Sequence, residues 1–230
     1  MDGIELRMDE AQFQRMFQYV RSYLQEHGGE MTTTRTVPFR RRSEHIRRVR
    51  MWAERLAEGL PAVDRAALIA AAIFHDVGHA VTEDRRQHAV DSARICEAYL
   101  RENGYPDEFV RKVVLLVENH SRKQLLSAIE TPLELILLME ADWLDETGAL
   151  SIVWDCMMEG GEAEQSFEKT YRHILEYSNE ITTRNPMVTP RARELWECKQ
   201  KLVRDFIQHL AYDLGIDPGL AQAEKAGLQE

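Results

Sequence analysis

An imidazole and a carboxylate stand side by side at the end of an otherwise apolar run, Leu68-Ile-Ala-Ala-Ala-Ile-Phe-His75-Asp76. Burying an ionised carboxylate is costly unless something compensates it, and a bound cation is the usual compensation. Other groups of the same chemical type fall on inward faces. At helical spacing, His45 shares a stripe with Val49, Trp52 and Leu56, and His120 shares one with Val113 and Val117. Asp142 lines up with Leu135, Leu138 and Met139, and His88 with Ile95 and Tyr99. His75 stacks over Ala71 and Leu68, and Asp76 over Ala72 and Ile69. A lone inward histidine is usually a hydrogen-bonded core residue. Inward histidines and aspartates on several helices have one shared explanation, a metal that favours ionised carboxylate and binds each neutral imidazole. Mixed nitrogen and oxygen ligation suits manganese, iron, zinc, cobalt or nickel, and is poorer for calcium.

The elements that must position these groups are helical almost throughout, with no convincing alternation of apolar and polar residues. The pattern predicts a first helix over 9–27, ended by Gly28-Gly29. Ser43 is expected to cap a second helix through Leu56, and Asp64 a third that ends near Gly78. Helices follow over 87–103, from Asp107 to near His120, from Thr131 to near Glu146, over 149–158 and over 163–179. Thr131-Pro132-Leu133-Glu134 reads as a capping box with proline at the first helical position. Thr189-Pro190 opens a long last helix to Leu214. The organisation expected is an N-terminal helix and Arg-rich loop over 1–42, a core over 43–214 and a frayed tail over 215–230.

Composition narrows the function classes. The chain has 230 residues, 44% of them hydrophobic, enough for one sizeable core. Its net charge of -10 argues against general nucleic-acid binding. Its longest apolar run, Ala66 to Phe74, is far too short to span a bilayer. No basic stretch followed by an apolar one opens the chain, so a cytoplasmic location is expected. Cys96, Cys156 and Cys198 are too scattered for a disulfide framework and read as small buried hydrophobes. Seven arginines (Arg35, Arg40, Arg41, Arg42, Arg47, Arg48 and Arg50) crowd one stretch around His45. Such a stretch is either an anion-collecting rim or a solvated face. With His45 pointing inward, its arginine neighbours are expected to point elsewhere.

The constellation resembles the HD-domain superfamily of metal-dependent phosphohydrolases, named for a paired His-Asp on a helix. The order His45, His75-Asp76, Asp142 matches the superfamily's, and His88 and His120 fall where its two-metal members carry two more histidines. Phe74-His-Asp-Val-Gly-His79 resembles the core motif. Glu140-Ala-Asp-Trp-Leu-Asp-Glu-Thr-Gly-Ala149 is similar to the Ala-Asp-x-Leu-Asp-x-x-Gly-Ala segment of small nucleotide-hydrolysing members. The resemblance implies an all-α, single compact multi-helix bundle. It implies that His45, His75, Asp76 and Asp142 hold one divalent transition metal, with His88 and His120 completing a second site if there is one. It further implies catalytic parts for Asp76, Asp145 and His79, and phosphate contacts from Arg41, Arg122 and Lys123. The substrate implied is a phosphorylated small molecule, most naturally a nucleotide, hydrolysed by metal-activated water. A di-iron oxygenase and a non-catalytic binding module are the alternatives, and a homodimer is compatible with the chain. Gly104-Tyr105-Pro106 spells the triplet of the cyclic-dinucleotide-degrading branch, but it lacks that branch's lead-in and reads as a helix stop and start. His173 sits on a mostly polar helix and is expected at the surface.

Overall fold

Apolar stripes decide how the helices around the His-Asp pair pack. A computed structural model describes residues 8–31, 41–82 and 84–216, without the side chain of Arg85. Helix α1 (Glu10–Glu26) opens on a reciprocal capping box between Asp9 and Gln12 and buries Phe13, Met16, Val20 and Leu24. Helix α2 (Arg42–Leu56) buries His45, Ile46, Val49, Ala53 and Leu56. Helix α3 (Arg65–Phe74) is capped by Asp64 and is buried on every side. Around it come α4 (His88–Glu102), α5 (Asp107–Asn119) and α6 (Leu133–Asp145). Helices α1, α2, α5 and α6 all pack on α3, and α4 lies along α5. The architecture is all-α: no strand forms among the described residues, only an isolated bridge between Met31 and Arg41. Among the described residues no helix is long and apolar enough to cross a membrane.

The contacts divide the chain into two units, one up to residue 145 and one from 146 onward. The second unit contains α7 (Ala149–Gly160), α8 (Phe167–Glu176), α9 (Ser178–Ile181) and α10 (Pro190–Leu214). As expected, the Thr189 hydroxyl accepts from the backbone of Ala192, with proline in the first turn.

Several local expectations are corrected. Ser43 does not cap α2. It lies inside the helix, and its hydroxyl and backbone N–H donate to the Glu30 carboxylate. The Arg42 N–H goes to the Glu30 carbonyl at 2.8 Å, so Glu30 satisfies the open first turn from outside the helix. The capping box at Thr131 does not form. Its N–H goes to the Ala128 carbonyl, while the Glu134 carboxylate accepts from the Asp64 backbone and from Lys112, each at 2.9 Å. The helix expected over 163–179 starts only at Phe167, capped by Ser166, and breaks at Tyr177 into α8 and α9. His173 is mostly covered, its Nδ1 2.8 Å from Glu159 Oε1 and its Nε2 3.6 Å from Asp155 Oδ1. Cys96 is buried, but Cys156 is half-buried and Cys198 exposed. Arg35, Arg40 and residues 217–230 lie outside the described residues. Gly104 does end α4, at φ 71°, with Pro106 leading into α5.

The correction that shapes the site concerns α3. Its α-helical turns stop at Phe74, and a 3-10 turn over Val77–Ala80 follows the His-Asp pair. Continuing the helix would require the Gly78 N–H to bond back within it. The buried Ser92 hydroxyl accepts that N–H instead, at 2.8 Å. The turn lies so close to α4 that a Cβ on Gly78 would stand 2.2 Å from the His88 carbonyl oxygen and 2.4 Å from the Ser92 nitrogen. Gly78→Ala should therefore lower stability by about 1–3 kcal/mol, the range for overpacking a filled interior. A thermal unfolding curve coincident with that of the unmodified protein would refute this close approach.

Candidate metal centre

All the chemically suggestive residues gather in the first unit, mostly where helices begin or end. His45 lies in the first turns of α2. His75 and Asp76 follow the last turn of α3. His88 opens α4, His120 follows α5, and Asp142 and Asp145 close α6. A helix end releases the regular ladder, so a side chain there can turn across the bundle while its own backbone stays fixed.

The orientation of His45, His75 and His120 is fixed from behind. The Nδ1–H of His75 donates to the Ala72 carbonyl at 2.9 Å, and that of His120 to the Val117 carbonyl at 2.7 Å. His45 Nδ1–H donates to Asp145 Oδ2 at 2.8 Å. Each Nε2 is thereby aimed into the bundle, as in metal sites whose ligand histidines are held by a carbonyl or carboxylate. The nitrogens meet in two pairs, His45 Nε2 to His75 Nε2 at 3.3 Å and His88 Nε2 to His120 Nε2 at 3.2 Å. Two nitrogens each about 2.1 Å from a common ion stand about 3.0–3.4 Å apart, so both pairs have the spacing of ligands on one metal.

Asp76 lies between the pairs. Its Oδ2 faces His45 Nε2 at 3.7 Å, and its Oδ1 lies 3.6 Å from His88 Nε2 and 3.7 Å from His120 Nε2. Two groups result that are arranged to hold a metal, His45–His75–Asp76 and Asp76–His88–His120. Asp142 joins the first, its Oδ1 3.3 Å from His45 Nε2 and 3.9 Å from His75 Nε2. The donor set, imidazole nitrogens around carboxylate oxygens, fits a divalent transition metal.

Each carboxylate also has a cation from the chain itself. Arg42 pairs with Asp76 Oδ2 through Nη1. Lys123 Nζ is 2.6 Å from Asp142 Oδ2. Arg48 grips Asp145 with two donors, Nε to Oδ1 at 2.7 Å and Nη2 to Oδ2 at 3.0 Å. Burial opposes ionisation of Asp76, but the surrounding imidazoles and Arg42 hold its carboxyl well below the usual range. The same balance keeps Asp142 low through Lys123 and His45, and Asp145 low through His45 and Arg48. Burial likewise opposes charge on His45, yet the hydrogen bonds to Asp142 and Asp145 outweigh it and push the ring up to about 10. His75 is driven the other way by burial, to about 4. His79, on the 3-10 turn, stacks on His88 with ring centres 4.3 Å apart, and its Nε2 is 3.7 Å from Asp76 Oδ1. Burial pushes it down to about 3, so it is neutral near pH 7.

Not every anticipated residue reaches the cluster. Arg41 is exposed at the start of α2 and Arg122 at the turn before Lys123. Neither makes a hydrogen bond or ion pair with the cluster among the described residues. The expectation that the arginines around His45 point away is wrong for Arg42 and Arg48. They lie three residues before and after His45, so they share its face of α2. That spacing was visible in the sequence, but apolar periodicity gave no reason to read cations as inward.

Comparison with known proteins agrees with this geometry. Residues 42–147 match the HD domain family model. Among solved structures, an HD-superfamily hydrolase from Bacillus thuringiensis is 19% identical with a TM-score of 0.65, covering 90% of this chain and 99% of its own. YpgQ from Bacillus subtilis, in a structure with ADP, is 21% identical with a TM-score of 0.62, covering 91% of this chain and 96% of its own. An HD-superfamily hydrolase from an uncultured Thermotogales bacterium is 20% identical with a TM-score of 0.60, covering 87% of this chain and 92% of its own. No functionally curated protein matches the sequence. The His, His-Asp and Asp residues come together inside residues 42–147, the segment that matches the HD domain.

Proposed function

We propose that this protein is a metal-dependent phosphohydrolase acting on a small phosphorylated molecule, most fittingly a nucleotide. The observation that carries this reading is the sharing of Asp76 between two ligand groups whose imidazole nitrogens are aimed inward by fixed backbone and carboxylate acceptors. His45, His75, Asp76 and Asp142 would hold one ion, and His88 and His120 with Asp76 a second. Manganese, iron, zinc, cobalt or nickel bound there supplies Lewis acidity and makes coordinated water acidic enough to attack near neutral pH.

The chain's own residues do the rest. Asp145 orients His45 and is itself held by Arg48, so its part is positioning rather than proton transfer. Proton handling falls to His79, a neutral ring beside Asp76 at the partly open edge of the cluster. Lys123 keeps Asp142 ionised and places a positive charge beside the centre. The nucleotide preference is supported by the ADP bound to YpgQ, a protein with the same fold, and by the cations around an otherwise acidic cluster. Two imidazole pairs flanking one carboxylate also suit a di-iron oxygenase, which oxygen consumption without phosphate release would favour.

Asp76→Ala should lose nearly all bound metal and nearly all release of phosphate or pyrophosphate from a nucleotide panel, while the helical circular dichroism signal persists. Wild-type turnover in that variant would reject the assignment. His120→Ala should lower manganese content from about two ions per chain to about one, as expected for a pair bridged by a carboxylate. Elemental analysis showing the same stoichiometry in both proteins would dismiss the second site.

A further inference from the structure

Three cations serve the three carboxylates of the centre, and one of them stands apart. Lys123 takes Asp142 Oδ2 and leaves Oδ1 facing His45. Arg48 takes Asp145, which supports a ligand from behind. Arg42 occupies an oxygen of a shared ligand: Asp76 Oδ2 faces His45 Nε2 at 3.7 Å, while Oδ1 lies 3.7 Å from His75 Nε2 and beside the His88–His120 pair. When Asp76 serves both groups, Oδ1 goes to the His88–His120 pair and Oδ2 to His45 and His75, so the first metal and the Arg42 guanidinium claim the same oxygen.

We propose that Arg42 is the anion-binding residue of this site, a guanidinium that competes with the metal for Asp76 and turns to the substrate's phosphate when displaced. The proposal rests on the phosphohydrolase reading and names the residue that holds the charged part of the substrate. Displacement cannot carry Arg42 far, since its backbone N–H is tied to the Glu30 carbonyl at 2.8 Å and the next residue is bound to the Glu30 side chain. The side chain is 13% exposed, and its Nε is buried with no hydrogen-bond partner among the described residues. A guanidinium moved off Asp76 would have still more donors unmet in a poorly hydrated place, which is costly. A phosphate supplies a pair of acceptor oxygens that the planar guanidinium fork matches. Because Arg42 precedes His45 by three residues on the same helix face, its head remains beside the ligand cluster after it turns.

The test uses the full chain stripped with a chelator, with manganese and inorganic phosphate as probes and calorimetry as the readout, so it does not depend on turnover. Arg42→Gln should bind manganese about tenfold more tightly than wild type. Once loaded, it should bind phosphate at least about tenfold more weakly, the size of one charge-assisted interaction. Arg42→Lys, which keeps the charge and loses the fork, should leave manganese affinity near wild type and still weaken phosphate; it also serves if the glutamine variant fails to fold. Manganese affinity that is unchanged or lower in Arg42→Gln overturns the competition. Phosphate affinity that is unchanged in both variants overturns the anion role. If both shifts occur while wild type hydrolyses no phosphorylated compound, the hydrolase reading fails and the Arg42 assignment stands.

Discussion

A single carboxylate, Asp76, lies 9% exposed at its side chain among five imidazoles and a guanidinium. A lone anion so far from water would be severely penalised. Everything around it reduces that penalty, and the neighbours come from the ends of four helices: α2, α3, α4 and α5. The fold can be read as the means of bringing those ends to one point. The 3-10 turn after α3 is part of this, because the switch away from α-helix at Phe74 sets Asp76 and His79 apart from the regular direction of the ladder. Ser92 from α4 holds the switch by accepting the Gly78 N–H, so the same helix that contributes His88 also shapes the turn His88 must face.

The orientation of the rings follows a common rule with two kinds of acceptor. Backbone carbonyls of Ala72 and Val117 hold His75 and His120 through local contacts three residues back. His45 is held across the bundle by Asp145, a hundred residues away in sequence. Local acceptors come with the helix end itself. The distant one requires α2 and α6 to be packed together, and Arg48 fastens that packing by gripping the same carboxylate with two donors. Loss of Arg48 would therefore be felt at His45, with which it has no direct hydrogen bond.

Much of this was legible from the residues alone. Inward histidines and aspartates showed themselves because a polar residue on an apolar stripe breaks a pattern. The helix starts at Asp64, Asp107 and Thr189 were legible for the same reason, each carrying a recognisable local signal. Arg42 and Arg48 were not, because a long cationic side chain near a helix start looks the same whether it reaches into solvent or onto a buried acid. Glu30 was hidden too, since it closes the first turn of α2 from a loop thirteen residues from Ser43 and no short-range motif encodes that contact. His173 was misread because its partners, Asp155 and Glu159, lie on a different helix. The missed features share one property: each is a contact made by a charged residue between segments that local periodicity treats separately.

The provision of a cation for each acid at the centre has a wider consequence. Many small metalloproteins cannot assemble until their ion arrives, and chelators denature them. Here Arg42, Lys123 and Arg48 supply the opposing charges from the polypeptide itself. The acids are thereby balanced by the polypeptide itself, so the fold would not have to wait for an ion. An ion that bound afterwards would then be one the surroundings offer, and replacing it by another would not require dismantling the protein.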